Sequence, residues 1–334
     1  MAHSEPSLIP CNIDFDRDGK QFGYLSVPHS RNESAWGSLL VPIVCVRNGD
    51  SPTVLFTAGN HGDEYEGQVA LHKLARELSP ENITGRVIIM PALNLPAVRG
   101  AARLSPLDGG NMNRSFPGHP RGTLTQRVAH YVTVELLERA DIVVDMHSGG
   151  KSLDFVPSAI MHELDDRERF GTTLAALKAF GAPVSLILKE LDSIGMLDTE
   201  AENMGKIFIS TELGGAGTLS PRSVEIADNG VRNLLRHFGV LEGEPSSHHP
   251  TRMMDTPDNA FVKSEVNGIY EPFYALGDEV KAGEPLGQIH DFERPEAPPL
   301  QAFAPIDGML FCRHVAGLTT RGDSLAVIAV DRDA

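Results

Sequence analysis

The stretch Val54-Leu-Phe-Thr-Ala-Gly-Asn-His-Gly-Asp-Glu-Tyr-Glu-Gly67 constrains the fold more than any other part of the chain. Its first five residues, Val54 to Ala58, form a short continuous apolar run of the kind buried on both faces of a sheet. Gly59 and Asn60 break that run. From about residue 64 to 78 the apolar residues Val69, Leu71, Leu74, Ala75 and Leu78 recur near helical spacing, and Pro80 follows as a stop signal. A second apolar run, Val87 to Met90, comes next. Strand, helix and strand in this order imply a crossover connection and, by themselves, a largely parallel sheet.

His61 and Glu64 fall in the turn between strand and helix, three residues apart. That spacing lets an imidazole nitrogen and a carboxylate oxygen converge on one ion. Zinc accepts such nitrogen and oxygen ligands, with a third from elsewhere and one position kept for water. The third candidate is His147, at the end of the apolar segment Ile142-Val-Val-Asp-Met-His147. The carboxyl ends of strands in open α/β sheets face the crevice where ligands bind. Asp145, two residues earlier, is placed to orient a ligating histidine. A further strand, Ile207 to Leu213, delivers Glu212 beside Gly214-Gly215, a natural position for a general base.

The remaining elements follow from the same patterns. Early strands are expected near residues 23–27 and 39–46, and helices at about 125–138, 165–180 and 221–238. Residues 155–161 and 183–188 read as extended, and 189–206 as an acid-rich loop with a short helix. Residues 91–122 show no regular pattern, but their content of Arg99, Arg103, Asn113, Arg114, glycines and Phe116 suits a binding loop. An arginine there can stabilise an oxyanion, and Asn113 with Arg114 can hold a carboxylate through a planar fork of donors. Residues 246–258 read as a linker, with His248-His249 exposed in it rather than bound to metal. This leaves 1–245 as the catalytic domain and 259–334 as a small β domain with regularly spaced turn glycines.

Composition narrows the partners. The 334 residues are 41% hydrophobic and carry a formal charge of −16, from 29 basic and 45 acidic side chains. Such a surface disfavours nucleic acid and anionic membranes. No run approaches about 18 apolar residues, so no membrane span is expected. Residues 1–20 lack an apolar signal core. Cys11, Cys45 and Cys312 are widely spaced with no Cys-x-x-Cys pair, which argues against a disulfide framework and fits a reducing cytoplasm.

Together, His61-Gly-Asp-Glu64, Asn113-Arg114, Asp145-Met-His147 and Glu212-Leu-Gly214 resemble the succinylglutamate desuccinylase/aspartoacylase family, zinc deacylases related to the metallocarboxypeptidases. The resemblance covers about residues 35–331 and implies a mixed sheet sandwiched by helices, with a smaller all-β C-terminal domain. It implies one zinc ion on His61, Glu64 and His147, with Glu212 as base and proton shuttle. It also implies substrate binding by Asn113 and Arg114, and carbonyl polarisation by an upstream arginine, Arg103 or alternatively Arg99. It is compatible with a homo-oligomer. The segments 105–118 and 145–150 look most like the branch that deacetylates Nα-acetyl-L-2,4-diaminobutyrate in ectoine degradation. That small-molecule substrate carries a side-chain ammonium, for which the acids Glu190, Asp192, Asp198, Glu200 and Glu202 are candidate partners.

Other readings remain open at this point. They are a deacylase of N-acetylaspartate or N-succinylglutamate, a metallocarboxypeptidase, and a binding or carrier protein. The last arises because residues 274–287 and 304–308 resemble a biotinyl/lipoyl barrel. The modifiable-lysine motif of such carriers is missing, and Lys281 lies within a Gly-Asp-x-Val-x-x-Gly turn, so no carried cofactor is expected. The β domain is expected instead to shield or complete the active site.

Overall fold

A computed structural model describes residues 5–189, 194–246 and 250–332. Glu190, Asp192 and the His248-His249 pair lie outside the described residues. In chain order the first half contains β1 (Gly19–Pro28), β2 (Ser38–Asn48), β3 (Thr53–Ala58), α1 (Glu66–Glu77), β4 (Gly85–Met90), α2 (Leu95–Gly100), α3 (Leu124–Tyr131) and β5 (Ile142–His147). Then come β6 (Leu153–Phe155), β7 (Ser158–His162), α4 (Arg167–Phe180), β8 (Val184–Leu188), α5 (Leu197–Asn203), β9 (Ile207–Glu212), α6 (Pro221–His237) and β10 (Arg252–Asp255). The C-terminal part consists of β11 (Phe261–Lys263), β12 (Gly268–Pro272), β13 (Glu279–Val280), β14 (Pro285–His290), β15 (Leu300–Phe303), β16 (Gly308–His314), β17 (Leu318–Thr319) and β18 (Ser324–Asp331).

The apolar runs are strands buried on both faces: every residue of β3, β4 and β5 is buried. Alternation along them serves two cores. Val54, Phe56, Ile142 and Val144 pack with α1, α4 and α6. Leu55, Ile88, Val143 and Phe208 pack with α3, α5 and the π-helical turn Val132–Leu137 that continues α3. Each such buried Leu, Ile or Phe contributes roughly 1.5–3 kcal/mol relative to exposure. Helices therefore sandwich the sheet, as the resemblance implied.

The sheet is mixed rather than largely parallel. β4, β3, β5 and β9 are mutually parallel neighbours. β1 pairs antiparallel with β2, β2 pairs antiparallel with β4, and β7 runs antiparallel to β9. A continuous apolar run does not reveal strand direction, and the return of the chain through β6 and β7 reverses it.

Residues 91–122, which show no sequence periodicity, hold α2 and the single turn Met112–Arg114. Pro96 sits in the first turn of α2, where the missing N–H costs nothing. α3 starts from Thr123, whose side chain and Gln126 form a reciprocal capping box.

The stretch expected as a linker contains β10. This strand pairs parallel with β8 and antiparallel with β18, so one sheet runs from β1 through β10 into β18, β16 and β13. A separate antiparallel sheet, β15-β14-β12-β17, faces its own small core around Val280, Leu286, Leu310 and Ile328. Lys281 is exposed and pairs with Asp307 at 3.1 Å. No helix among the described residues is long and apolar enough to cross a membrane.

Candidate active site

β3, β5 and β9 are parallel neighbours, so their carboxyl ends open on the same side. His61 and Glu64 lie in the turn after β3, His147 ends β5, and Glu212 ends β9 as the register partner of His147. The turn needs glycine at 62: a Cβ there would lie 1.9 Å from the Ala97 carbonyl carbon. Gly62 thus lets the turn seat against α2, which backs it from outside the cavity.

His61 Nδ1 lies 2.7 Å from Glu64 Oε1, and His147 Nδ1 lies 2.8 Å from Glu64 Oε2. All three side chains are buried. The outer nitrogens are held from behind. His147 Nε2 is 2.8 Å from Asp145 Oδ2, and His61 Nε2 is 3.1 Å from Asn111 Oδ1. Thr57 and Asn60 donate in turn to Asp145, at 2.6 and 2.8 Å. Burial alone would push the Asp145 carboxyl up, but the His147 charge and these donors hold it below its ordinary value.

This donor set fits a divalent cation. Acceptors on the outer Nε2 atoms favour the tautomer that leaves both Nδ1 lone pairs facing the Glu64 carboxylate. One ligand atom from each residue then lies within 4.8 Å of the others. Two imidazoles and a carboxylate are the donors zinc prefers at a site that keeps an open position. The three side chains form a buried His-Glu-His group able to bind a metal.

The same residues line a cavity of about 350 Å³ together with Arg103, Asn113, Arg114 and Glu212. Arg103 Nη1 approaches His61 Nδ1 at 3.3 Å and Glu64 Oε1 at 3.4 Å. Arg99 is exposed on α2 and does not line the cavity. Arg103 is therefore the arginine that the fold brings to the site. Asn113 is buried, its Oδ1 accepting from the Leu197 N–H at 3.0 Å, and Arg114 donates to the Asn113 carbonyl at 2.6 Å.

Glu212 is half-buried, and its buried Oε2 atom has no hydrogen-bond partner among the described residues. Burial, then the charge of Glu64, pushes its carboxyl up to about 8, against the pull of His147 and Arg103. A carboxyl raised this far is poised to take and return protons near neutral pH.

The C-terminal β part contributes no described residue to the cavity lining. It stands behind the wall instead. β16 pairs with β6, the Val156 N–H donates to the Phe311 carbonyl at 2.9 Å, and Phe155 meets Phe311 edge-on at 5.5 Å. Sequence patterns also missed Asn111 and His162. Asn111 sits in a loop where most neighbours are polar, and only its spacing from Asn113 within one turn hints at a role. His162 ends β7 and lines the cavity while pairing with Glu202 at 3.0 Å. Of the described acids between 194 and 202, Asp198 alone lines the cavity.

Known proteins share this architecture. The succinylglutamate desuccinylase/aspartoacylase catalytic domain matches residues 50–238. The N-alpha-acetyl-L-2,4-diaminobutyric acid deacetylase of Halomonas elongata is 45% identical over 330 residues, covering 98% of this chain and 96% of that protein. The product-bound ectoine utilization protein EutE (DoeB) from Ruegeria pomeroyi is 48% identical with a TM-score of 0.95, covering 98% of this chain and 99% of that one. The succinylglutamate desuccinylase of Vibrio parahaemolyticus, at 14% identity and a TM-score of 0.61 over 98% of this chain and 93% of its own, shares the fold. A buried His-Glu-His group after parallel strands and likeness along nearly the whole length lead to one assignment: this chain is a hydrolase and belongs to the succinylglutamate desuccinylase/aspartoacylase family.

Proposed function

We propose that this enzyme hydrolyses the acetyl amide of Nα-acetyl-L-2,4-diaminobutyrate, giving acetate and L-2,4-diaminobutyrate, with one zinc ion on His61, Glu64 and His147. The observation that carries the reading is the convergence of these three side chains with Glu212 in one cavity. The 45% identity to a relative named for that reaction supports the choice of substrate. Zinc, when bound, supplies the positive charge that makes hydroxide available near neutral pH.

The chain's own residues carry the rest. Glu212 takes the proton of the attacking water and returns it to the leaving amine nitrogen. Arg103, at the mouth beside Glu64, stabilises the oxyanion as it develops. Asn113 and Arg114 hold the substrate carboxylate. Asp145 and Asn111 fix the ring planes of His147 and His61. In this reading residues 1–245 form the catalytic unit, 246–258 connect it, and 259–334 brace the cavity wall from outside. The three free cysteines agree with a cytoplasmic location.

A second reading is a deacylase of a more acidic N-acyl amino acid. It is favoured by the two guanidiniums, Arg103 and Arg114, that line the cavity. Zinc-loaded enzyme is assayed for amine release from Nα-acetyl-2,4-diaminobutyrate, N-acetylaspartate and N-succinylglutamate, with Glu212→Ala as control. Preference for the first, lost in the variant, is the expected result. Preference for either acidic substrate replaces the first reading with the second.

A further inference from the structure

The cavity lining follows β9 and β7 away from Glu212. Glu212, Ser210 and Phe208 alternate along β9 and line the same wall. β7 runs beside them in the opposite sense, pairing Ser158 with Glu212 and Ile160 with Ser210. Following both strands away from Glu212 leads to Phe208 on one and His162 on the other. At about 3.3 Å per residue, Phe208 lies roughly 13 Å along the strand from Glu212. α5 packs over this far end, where Met196 and Asp198 line the cavity with His162 and Leu188.

Asp198 is 8% exposed. Its Oδ1 accepts from the N–H and the hydroxyl of Thr199, at 2.5 and 3.1 Å. No described residue donates a hydrogen bond to its Oδ2. The groups that act on it are His162, whose charge favours the carboxylate, and Glu202, whose charge opposes it. Burial pushes its carboxyl up, a cost that an arriving cation would offset. The residue before Asp198 donates its N–H to Asn113 Oδ1 at 3.0 Å, which ties α5 to the loop bearing Asn113 and Arg114. The spacing between the acidic end and the carboxylate-binding loop is thereby fixed.

We propose that Asp198 is the specificity-determining residue of the cavity, pairing with the ammonium of a substrate whose side chain is cationic. The inference rests on the deacylase reading, with the acyl group seated beside Glu212. Five bonds separate the scissile carbonyl carbon of Nα-acetyl-2,4-diaminobutyrate from its side-chain nitrogen, about 6 Å when extended. That length is shorter than the roughly 13 Å from Glu212 to Phe208 along β9, so the substrate fits within the cavity lining. A neutral side chain of the same size would leave the carboxylate buried without a partner, which disfavours it.

The test compares kcat/KM for Nα-acetyl-2,4-diaminobutyrate and for its uncharged isostere Nα-acetylnorvaline. It uses the zinc-loaded wild type, Asp198→Asn, Asp198→Glu and, as a charge control outside the cavity lining, Glu200→Gln. Asp198→Asn keeps an acceptor for Thr199, and thermal melting checks that each variant is folded. The expected result is a drop of about a hundredfold in the preference ratio for Asp198→Asn, expressed mainly in KM. Asp198→Glu recovers part of it, and Glu200→Gln retains it. An unchanged ratio in Asp198→Asn, or equal loss on both substrates, overturns the inference. Calorimetric binding of L-2,4-diaminobutyrate against norvaline separates this failure from that of the parent reading. If the wild type turns over neither amide, its preference for the cationic amino acid still has to vanish in Asp198→Asn, and absence of any such preference in the wild type also overturns the inference.

Discussion

Asp145 Oδ2 sits 2.8 Å from His147 Nε2, so the two residues face each other across one intervening position of the same strand. Side chains two apart on a strand share a face, and here Asp145 fixes the imidazole ring of His147.

Replacing Asp145 by Ala is expected to weaken zinc binding by about 10- to 100-fold. The residue touches no substrate in the proposed arrangement, so activity should return when excess zinc is supplied. Competition with a chromophoric chelator measures the affinity, and an unchanged value would remove Asp145 from the metal site.

Glu212→Gln should lower kcat by about 10²- to 10⁴-fold while metal content stays at the wild-type level. The substitution removes a carboxyl whose buried Oε2 has no protein partner among the described residues, so the fold should tolerate it. Metal analysis alongside single-turnover rates separates loss of the base from loss of the ion.

The two candidate arginines should behave differently. Arg103→Ala is expected to cost about 10²- to 10³-fold in kcat. Arg99→Ala, exposed and outside the cavity, should stay within about threefold of wild type. Equal effects would mean that the guanidinium near Glu64 is not the one that meets the carbonyl.

The convergence of the candidate site's side chains was legible because they follow apolar strands. His61, Glu64, His147 and Glu212 each follow a run whose burial is plain from residue types alone, and the fold needs only to align the strands. The other partners depend on convergence that one sequence does not display. Asn111 is one polar residue among many until α2 and the following loop wrap back over His61. Asp198 is one of several acids until α5 is seen to press it into the cavity. α2 itself has six residues and an early proline, too short for periodicity to register. β10 has four residues, and its partners lie far away in sequence at β8 and β18.

The loop bearing Asn111 to Arg114 is anchored by Asp108, which accepts from the Thr125 N–H and hydroxyl at 2.7 and 2.9 Å and from the Gly110 N–H at 3.2 Å. Partial burial pushes its carboxyl up, but the donors from Ser105, Thr125 and Gly110 hold it below its ordinary value. A carboxyl lowered by folding stabilises the native state above its unfolded pKa and ceases to do so as pH falls through the folded one. Asp108→Ala should therefore cost about 1 kcal/mol at pH 7. The gap to wild type should narrow as pH drops below about 4. Urea titrations at the two pH values check both parts.

Thiol labelling should find the three cysteines unequal. Cys45 and Cys312 are buried, and burial pushes the Cys45 thiol up to about 11. Cys11 is partly exposed. Native protein should take up roughly one label per chain quickly, with the rest following only on unfolding.

The pairing of β10 with both β8 and β18 has a consequence for any attempt to shorten the chain. Cutting ahead of Arg252 would remove β10 and leave β8 with a row of bare N–H and C=O groups along its open side. Such a row is a template for another molecule's strand, so the shortened protein should self-associate into aggregates instead of remaining a smaller soluble enzyme. The C-terminal residues act as the selvage of the catalytic sheet, and the solubility of the one depends on the presence of the other.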